Sequence, residues 1–320
     1  MSLSHCLRPA RLAWTGAVLA ALLSVPSSAQ ERLLWLVRDL PPFSVSDGPE
    51  KGHGVIDQLL PQLIQQMPEY AHSIVRVNRA RGLQMLQDSS SLTCDPMLLW
   101  TAERARYVRF SIPLLGVQTS GLVVRKQNHA LVAPHLDGDE VDLQGLLSDP
   151  SLRLGVVAER SYGAVIDATL SNLPDAAVSR HYGTQATANL LQMQRLGRLR
   201  LVLGYWPEVR YLIQQQGGSP ADYQFHPVQG VKPYQFLHVG CSASPQGQAA
   251  MSHIDQVLTQ LRQTVLPKLY AHWLDPAQQA DYLEHSRAFF NDHAAAHPER
   301  PEQDERHAAG SIDLPNPQPR

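Results

Sequence analysis

Residues able to do covalent or metal chemistry are few in this 320-residue chain, and they do not gather. The 14 histidines are scattered, and the closest pair at ligand spacing, His293 and His297, sits where a polar, proline-rich stretch begins. That is not the ligand cluster a zinc site needs, so no metal or other cofactor is expected. No Gly-x-Ser-x-Gly elbow, phosphate-binding loop or Gly-x-Gly-x-x-Gly run occurs. No enzyme is expected from these residues. The remaining chemical signal is cysteine: Cys6, Cys94 and Cys241.

The compartment decides what those cysteines do. Arg8 and Arg11 lead into an apolar run, Leu12–Val25, and Pro26, Ser27, Ser28 and Ala29 follow as small residues. This is the pattern of an export signal cleaved after Ala29, with the periplasm as destination. The other reading, a membrane anchor, meets a run of about 14 residues where roughly 20 are needed to span a bilayer. Cys6 leaves with residues 1–29. The even pair that stays, Cys94 and Cys241, predicts one disulfide in an oxidising compartment, with two buried thiols as the alternative. Cleavage leaves 25 basic against 29 acidic residues, a charge of about −4. That offers no footprint for nucleic acid. About 290 residues remain, enough for two domains in a soluble monomer.

The elements that position side chains follow from pattern. Arg32–Val37 reads as a buried strand, stopped by Pro41-Pro42-Phe43. Ile56, Leu59, Leu60, Leu63, Ile64 and Met67 recur at helical spacing over Val55–Met67. Strands are expected at Ser73–Val77, Leu92–Leu99, Tyr107–Ile112 and Ser120–Arg125, with a helix over Arg79–Gln87. From Leu152 strands and helices alternate: strands at Leu152–Val157, Val178–Tyr182, Leu199–Tyr205 and Tyr223–Val228, helices from Ser161, over Thr184–Leu196 and over Pro207–Gln216. This spacing predicts right-handed crossovers and a mostly parallel sheet. A strand at Tyr234–Val239 precedes helices at Gln248–Leu266, Lys268–Leu274 and Pro276–Phe290, and the polar tail has too little apolar surface to order itself. The chain thus leaves one α/β unit, builds a second and returns. We expect lobe one from 30–118 and 234–291, lobe two from 119–233, and a disordered tail over 292–320. The crossings fall near Gly116–Ser120 and Val231–Phe236. Ligands of open α/β sheets bind outside the carboxyl ends of the strands, here where the lobes face.

Four stretches give this pattern a family likeness. They are Asp39-Leu40-Pro41-Pro42-Phe43, and Gly52-His53-Gly54-Val55-Ile56-Asp57 opening the first helix. The third is Thr101-Ala102-Glu103-Arg104 with Phe110-Ser111-Ile112-Pro113, and the fourth Leu154-Gly155-Val156 leading to Ser161-Tyr162-Gly163. Over about residues 32–275 the chain resembles the periplasmic solute-binding proteins of the polar amino-acid type, family 3. The likeness implies a type II periplasmic-binding-protein fold, two α/β lobes joined by two crossing strands. It also implies that Arg104 holds a ligand carboxylate through its planar fork; a surface arginine paired with Glu103 or another acid is the alternative. Thr101 would cap the helix carrying Arg104, its N–H groups facing the ligand. Ser161 would be the opposing jaw at a helix N-terminus, or a plain N-cap. Phe43 and Trp100 would pack on the ligand's apolar part, or serve as core.

One departure from the family is chemical. The Asp that pairs with an amino acid's ammonium falls, by spacing, on Tyr205, between Gly204 and Trp206; Glu208 could replace it only if the turn delivers it. A carboxylate without an adjacent ammonium, or a ring stacked on Tyr205 or Trp206, is therefore compatible. The resemblance implies capture of a small solute for an inner-membrane ABC permease. Its alternatives are a sensor module reporting to a membrane signalling protein, and a dehydratase-type cleft enzyme using Glu159 beside Ser161.

Overall fold

The burial pattern shows why the predicted segments fold. In helix Val55–Gln66 the stripe Val55, Ile56, Leu59, Leu60 and Leu63 is buried, one apolar face against a core. A computed structural model describes residues 30–290; the expected export signal, His293, His297 and the expected tail lie outside the described residues. Thirteen strands follow in chain order: β1 (Glu31–Val37), β2 (Tyr70–Arg76), β3 (Thr93–Leu99), β4 (Val108–Phe110), β5 (Leu115–Gln118), β6 (Gly121–Arg125), β7 (Leu136–Asp137), β8 (Glu140–Val141), β9 (Leu154–Val157), β10 (Val178–His181), β11 (Leu201–Gly204), β12 (Tyr223–His226) and β13 (Tyr234–Ser242). Described residues from Arg32 onward belong to one compact unit. Among them no helix is long and apolar enough to cross a membrane.

The strands form two main sheets, the architecture of a two-lobed α/β protein. The first has the order β2-β1-β3-β13-β4, with β5 also on β13, and the second β10-β9-β11-β6-β12. Each has its own apolar core, one built on residues such as Leu33, Trp35, Ile56 and Ile254, the other on Leu122, Leu154, Ile166 and Leu201. The chain passes between sheets at Thr119-Ser120 and returns before Tyr234. The two passages touch: the Thr119 N–H donates to the Pro233 carbonyl at 3.1 Å. Most of the expected crossing segments is in fact ladder, since β5 pairs with β13 from Leu115↔Leu237 to Gln118↔Tyr234.

In the second sheet β9, β10, β11 and β12 run one way, and β6, inserted between β11 and β12, is antiparallel to both. The reason is where the chain enters. Gly121, the first residue of β6, lies opposite Gly204, the last of β11. The chain arrives at the edge where β9 and β11 end, so β6 must run against them.

A disulfide joins Cys94 to Cys241. They sit in register across β3 and β13, both fully buried. The bond ties the strand before the second sheet to the strand that returns from it.

The Phe110-Ser111 stretch also closes the first sheet. The Ser111 N–H donates to the Val239 carbonyl at 2.8 Å, its Oγ accepts the Val239 N–H at 2.9 Å, and its carbonyl lies 2.8 Å from Nδ1 of buried His238. Burial lowers the His238 pKa to about 4, against the opposing pull of that carbonyl. The folded state therefore takes up this proton only near pH 4, while the unfolded chain takes it up near pH 6.5. Stability from this group is whole above pH 6.5 and is lost as pH falls towards 4, by up to about 1.4 kcal/mol per pH unit. Urea unfolding of wild type and His238→Gln over that window checks it: the variant should lose less stability on acidification, and parallel curves would refute the assignment.

Candidate functional site

The surfaces where the sheets meet are set by four loops at strand ends. The Pro-Phe turn after β1 is held by Asp57, whose carboxylate accepts the Ser44 hydroxyl at 2.7 Å, the Val45 N–H at 2.8 Å and the Gly54 N–H at 3.1 Å. Gly54 is required there, because a Cβ would lie 2.3 Å from the Phe43 carbonyl oxygen. This places Phe43, whose ring is buried and stacks on Tyr205 (centroids 5.6 Å apart) and on Tyr270 (6.2 Å).

Tyr205 follows β11 of the second sheet, yet it packs in the core of the first. Its hydroxyl donates to that of Tyr270, which in turn accepts the Gln118 N–H. Burial and then the Tyr270 hydroxyl push the Tyr205 pKa well up. The helix that follows, Trp206–Gln215, adds an ion pair from Arg210 to Asp275 and a hydrogen bond from Tyr211 to the Asp47 carbonyl. The lobes are thus in direct contact beside the cleft.

Arg104 lies in the short helix Ala102–Ala105, capped by Thr101, whose Oγ1 accepts the Arg104 N–H at 3.2 Å. The Arg104 side chain is buried and Glu103 exposed, which removes the surface pairing as an account of Arg104. Its guanidinium donates to the Leu99 carbonyl at 3.1 Å and across the cleft to the Glu159 carbonyl at 3.2 Å. Glu159 has φ 58°, a left-handed conformation uncommon outside glycine. Burial, then the nearby Arg38 charge, lower the Arg104 pKa.

The helix expected from Ser161 begins at Ala164, with Gly163 at its cap at φ 98°. The Ser161 hydroxyl donates to the Asp167 carboxylate, which also accepts the Tyr162 N–H at 2.8 Å. Ser161 therefore sits ahead of the cap position. A local carboxylate occupies the helix start, where it complements the dipole. Gly163 faces the other lobe, and a Cβ on it would stand 3.3 Å from Gln235 Oε1.

Three further arginines line this region that pattern reading did not single out. Arg38 pairs with buried Asp95 and donates to the Met97 carbonyl at 2.7 Å. Arg160 pairs with Glu208 at 2.7 Å, the side chains 9% and 4% exposed. Burial works against the Arg160 charge, but Glu208 and Tyr162 outweigh it and its pKa is raised. Arg79 opens helix Arg79–Gln87 and makes no ion pair among the described residues; its Nε is buried without a hydrogen-bond partner. The only signal in the sequence was position, since Arg79 follows a strand end and Arg160 adjoins Ser161. Glu208, the possible stand-in for the family's Asp, is delivered to the cleft but is committed to Arg160.

The arrangement leaves a central cavity of about 40 Å³ that touches Phe43, Arg79, Arg104, Arg160, Ser161 and Tyr205. It shares lining residues with two larger clefts. One, about 640 Å³, is lined by Trp100, Thr101, Arg104, Glu159 and Ser161; the other, about 280 Å³, by Arg38, Arg79, Arg160, Glu208 and Gln185. Of the six ligand-binding candidates from the sequence, Phe43, Arg104, Ser161 and Tyr205 line the small cavity, and Trp100 and Thr101 line the larger cleft, which shares Arg104 and Ser161 with it. Among the described residues, no group of three or more His, Cys, Asp or Glu side chains could hold a metal ion. The chemistry on offer is anion recognition by fixed guanidinium groups.

No family model matches the chain, and no curated protein does. Solved structures do. A mutant of ArgBP from T. maritima is 18% identical, with a TM-score of 0.55 over 76% of this chain and 95% of its own. A histidine kinase sensor domain with similarity to periplasmic binding proteins is 14% identical, with a TM-score of 0.57 over 77% and 96%. An ancestral amino acid-binding protein, a precursor of cyclohexadienyl dehydratase, is 16% identical, with a TM-score of 0.55 over 77% and 96%. With two mixed sheets, two passages between them and an arginine-lined cleft where they meet, the chain has the type II periplasmic-binding-protein fold.

Proposed function

We propose that this protein is a divergent solute-binding protein of the amino-acid type, a clamp that holds a small carboxylate-bearing solute at Arg104. The observation that carries this reading is the state of that side chain. It is buried at the meeting of the lobes, it donates to a carbonyl from each, and it makes no ion pair among the described residues. A buried guanidinium without a counter-charge is costly, and a carboxylate matches its fork. Thr101 positions the Arg104 helix, and Ser161, its hydroxyl held by Asp167, borders the site from the other lobe. Phe43 and Tyr205 supply an apolar floor, and Trp100 a wall of the larger cleft. The protein acts in the periplasm as a monomer and hands its solute to an inner-membrane ABC permease. It is a binder, not an enzyme.

A second reading has an observation behind it, since a kinase sensor domain matches the fold over as much of the chain as ArgBP does. In that reading closure on the same solute reports to a membrane signalling protein. Permease and ATPase genes beside this one support transport, whereas a kinase or cyclase neighbour supports sensing.

Thermal unfolding against amino acids, organic acids and polyamines tests the site. A ligand at 100 times its dissociation constant adds about 2.7 kcal/mol of stability. A carboxylate compound should raise the midpoint, and the rise should vanish in Arg104→Ala. No rise with any compound, or one indifferent to the mutation, would remove Arg104 as the binding residue.

A further inference from the structure

The charges around the central cavity do not balance. Three arginines, Arg79, Arg104 and Arg160, line it, and none of its lining residues is acidic. Asp39 and Glu208 line the 280 Å³ cleft, and Glu103, Glu159 and Asp167 the 640 Å³ cleft, but none lines this cavity; Asp95 is committed to Arg38 and Glu208 to Arg160. Asp167 is committed to Ser161 and the Tyr162 N–H. Two guanidinium groups are left without a carboxylate, those of Arg79 and Arg104. Arg79 lines both the central cavity and the 280 Å³ cleft, and it is absent from the lining of the cleft that holds Trp100 and Thr101.

Resting on the reading of Arg104 above, we infer that the solute is a small dicarboxylate without an amine, one carboxylate held by Arg104 and the other by Arg79. Each guanidinium fork matches one carboxylate. An ammonium on the solute would enter a region already in cationic excess, with no unpaired carboxylate at its centre to receive it. Burial is the largest cause of the lowered Arg79 pKa; the charges of Arg38, Arg160 and Arg104 add to it and Asp95 opposes it. A dianion neutralises both excess charges at once.

Calorimetric titration of the full chain with glutarate, butyrate and glutamate tests this. These probes are a dicarboxylate, a monocarboxylate, and the same dicarboxylate bearing an amine. Glutarate should bind about 30-fold or more tightly than butyrate, the fold-change expected for losing one partner of a buried charge pair. Glutamate should bind more weakly than glutarate. Arg79→Gln should weaken glutarate far more than butyrate, bringing the two affinities together. Its melting temperature without ligand should equal or exceed that of wild type, because a like charge has gone; this shows that lost binding is not lost folding. Equal binding of butyrate and glutarate, tighter binding of glutamate, or glutarate binding indifferent to Arg79→Gln would each overturn the inference while leaving the Arg104 clamp standing. Failure of all three probes, alongside a carboxylate-independent response in the thermal panel, would overturn both.

Discussion

Replacing Cys94 and Cys241 together by alanine is expected to lower the unfolding free energy by about 5 kcal/mol in the chain-entropy description of a cross-link. The bond closes a loop of 147 residues, and that loop contains the whole of the second sheet. Without the bond, the unfolded chain gains the freedom to separate β3 from β13. The folded chain loses only a contact inside a ladder that β13 also makes with β4 and β5. The effect should therefore appear as faster or easier global unfolding, with little change in the folded structure. Denaturant titration of the double variant checks this, with circular dichroism confirming that the native state is retained. A loss below about 1 kcal/mol would mean that the unfolded chain keeps β3 and β13 together without the bond.

Glu208→Gln should cost about 3–5 kcal/mol, the range for removing one partner of a buried ion pair. The substitution keeps the shape and hydrogen-bonding reach of the side chain, so the loss reports charge. It leaves Arg160 facing Arg79 and Arg104 without a counter-charge. Neutralising both members, Glu208→Gln with Arg160→Gln, should cost clearly less than the sum of the two single changes, because the stranded cation has gone. Chemical denaturation of the four proteins measures the coupling. Strict additivity would show that the Arg160–Glu208 pair is solvated and that the cationic excess in the cleft is smaller than we argue. A dianion bound at Arg79 and Arg104 should also restore part of the stability lost in the single variant.

The local pattern was legible because it rests on neighbours in sequence. Helix Arg79–Gln87 has the predicted limits, and Val55–Gln66 ends one residue before its predicted end, each fixed by apolar spacing and flanking strand ends. The order of strands and helices and the turn at Pro41–Phe43 follow the same logic, whereas the disulfide was legible from an even cysteine pair in an exported chain. Where a boundary moved, a contact from elsewhere moved it. The expected start at Ser161 became Ala164 because Asp167 draws the Ser161 hydroxyl and the Tyr162 N–H into a cap of its own. Of Gly116–Ser120, read as a crossing, Gly116–Gln118 became part of β5 because Tyr234–Leu237 lies beside it.

What the sequence determined by itself is the α/β alternation, the excursion from one sheet to another and back, and the presence of Arg104 at a capped helix start. Tertiary structure alone decided the electrostatics of the cleft. Arg38, Arg79, Arg104 and Arg160 come from four separate segments, and nothing local marks them as a group. Likewise Asp95 and Glu208 are ordinary acids until the fold pairs them with Arg38 and Arg160. It decided also that Tyr205, leaving a strand of one sheet, fills the core of the other. Periodicity is a property of a dozen residues, but charge balance in a buried cleft sums over every segment that reaches it, with interactions that strengthen as water is excluded.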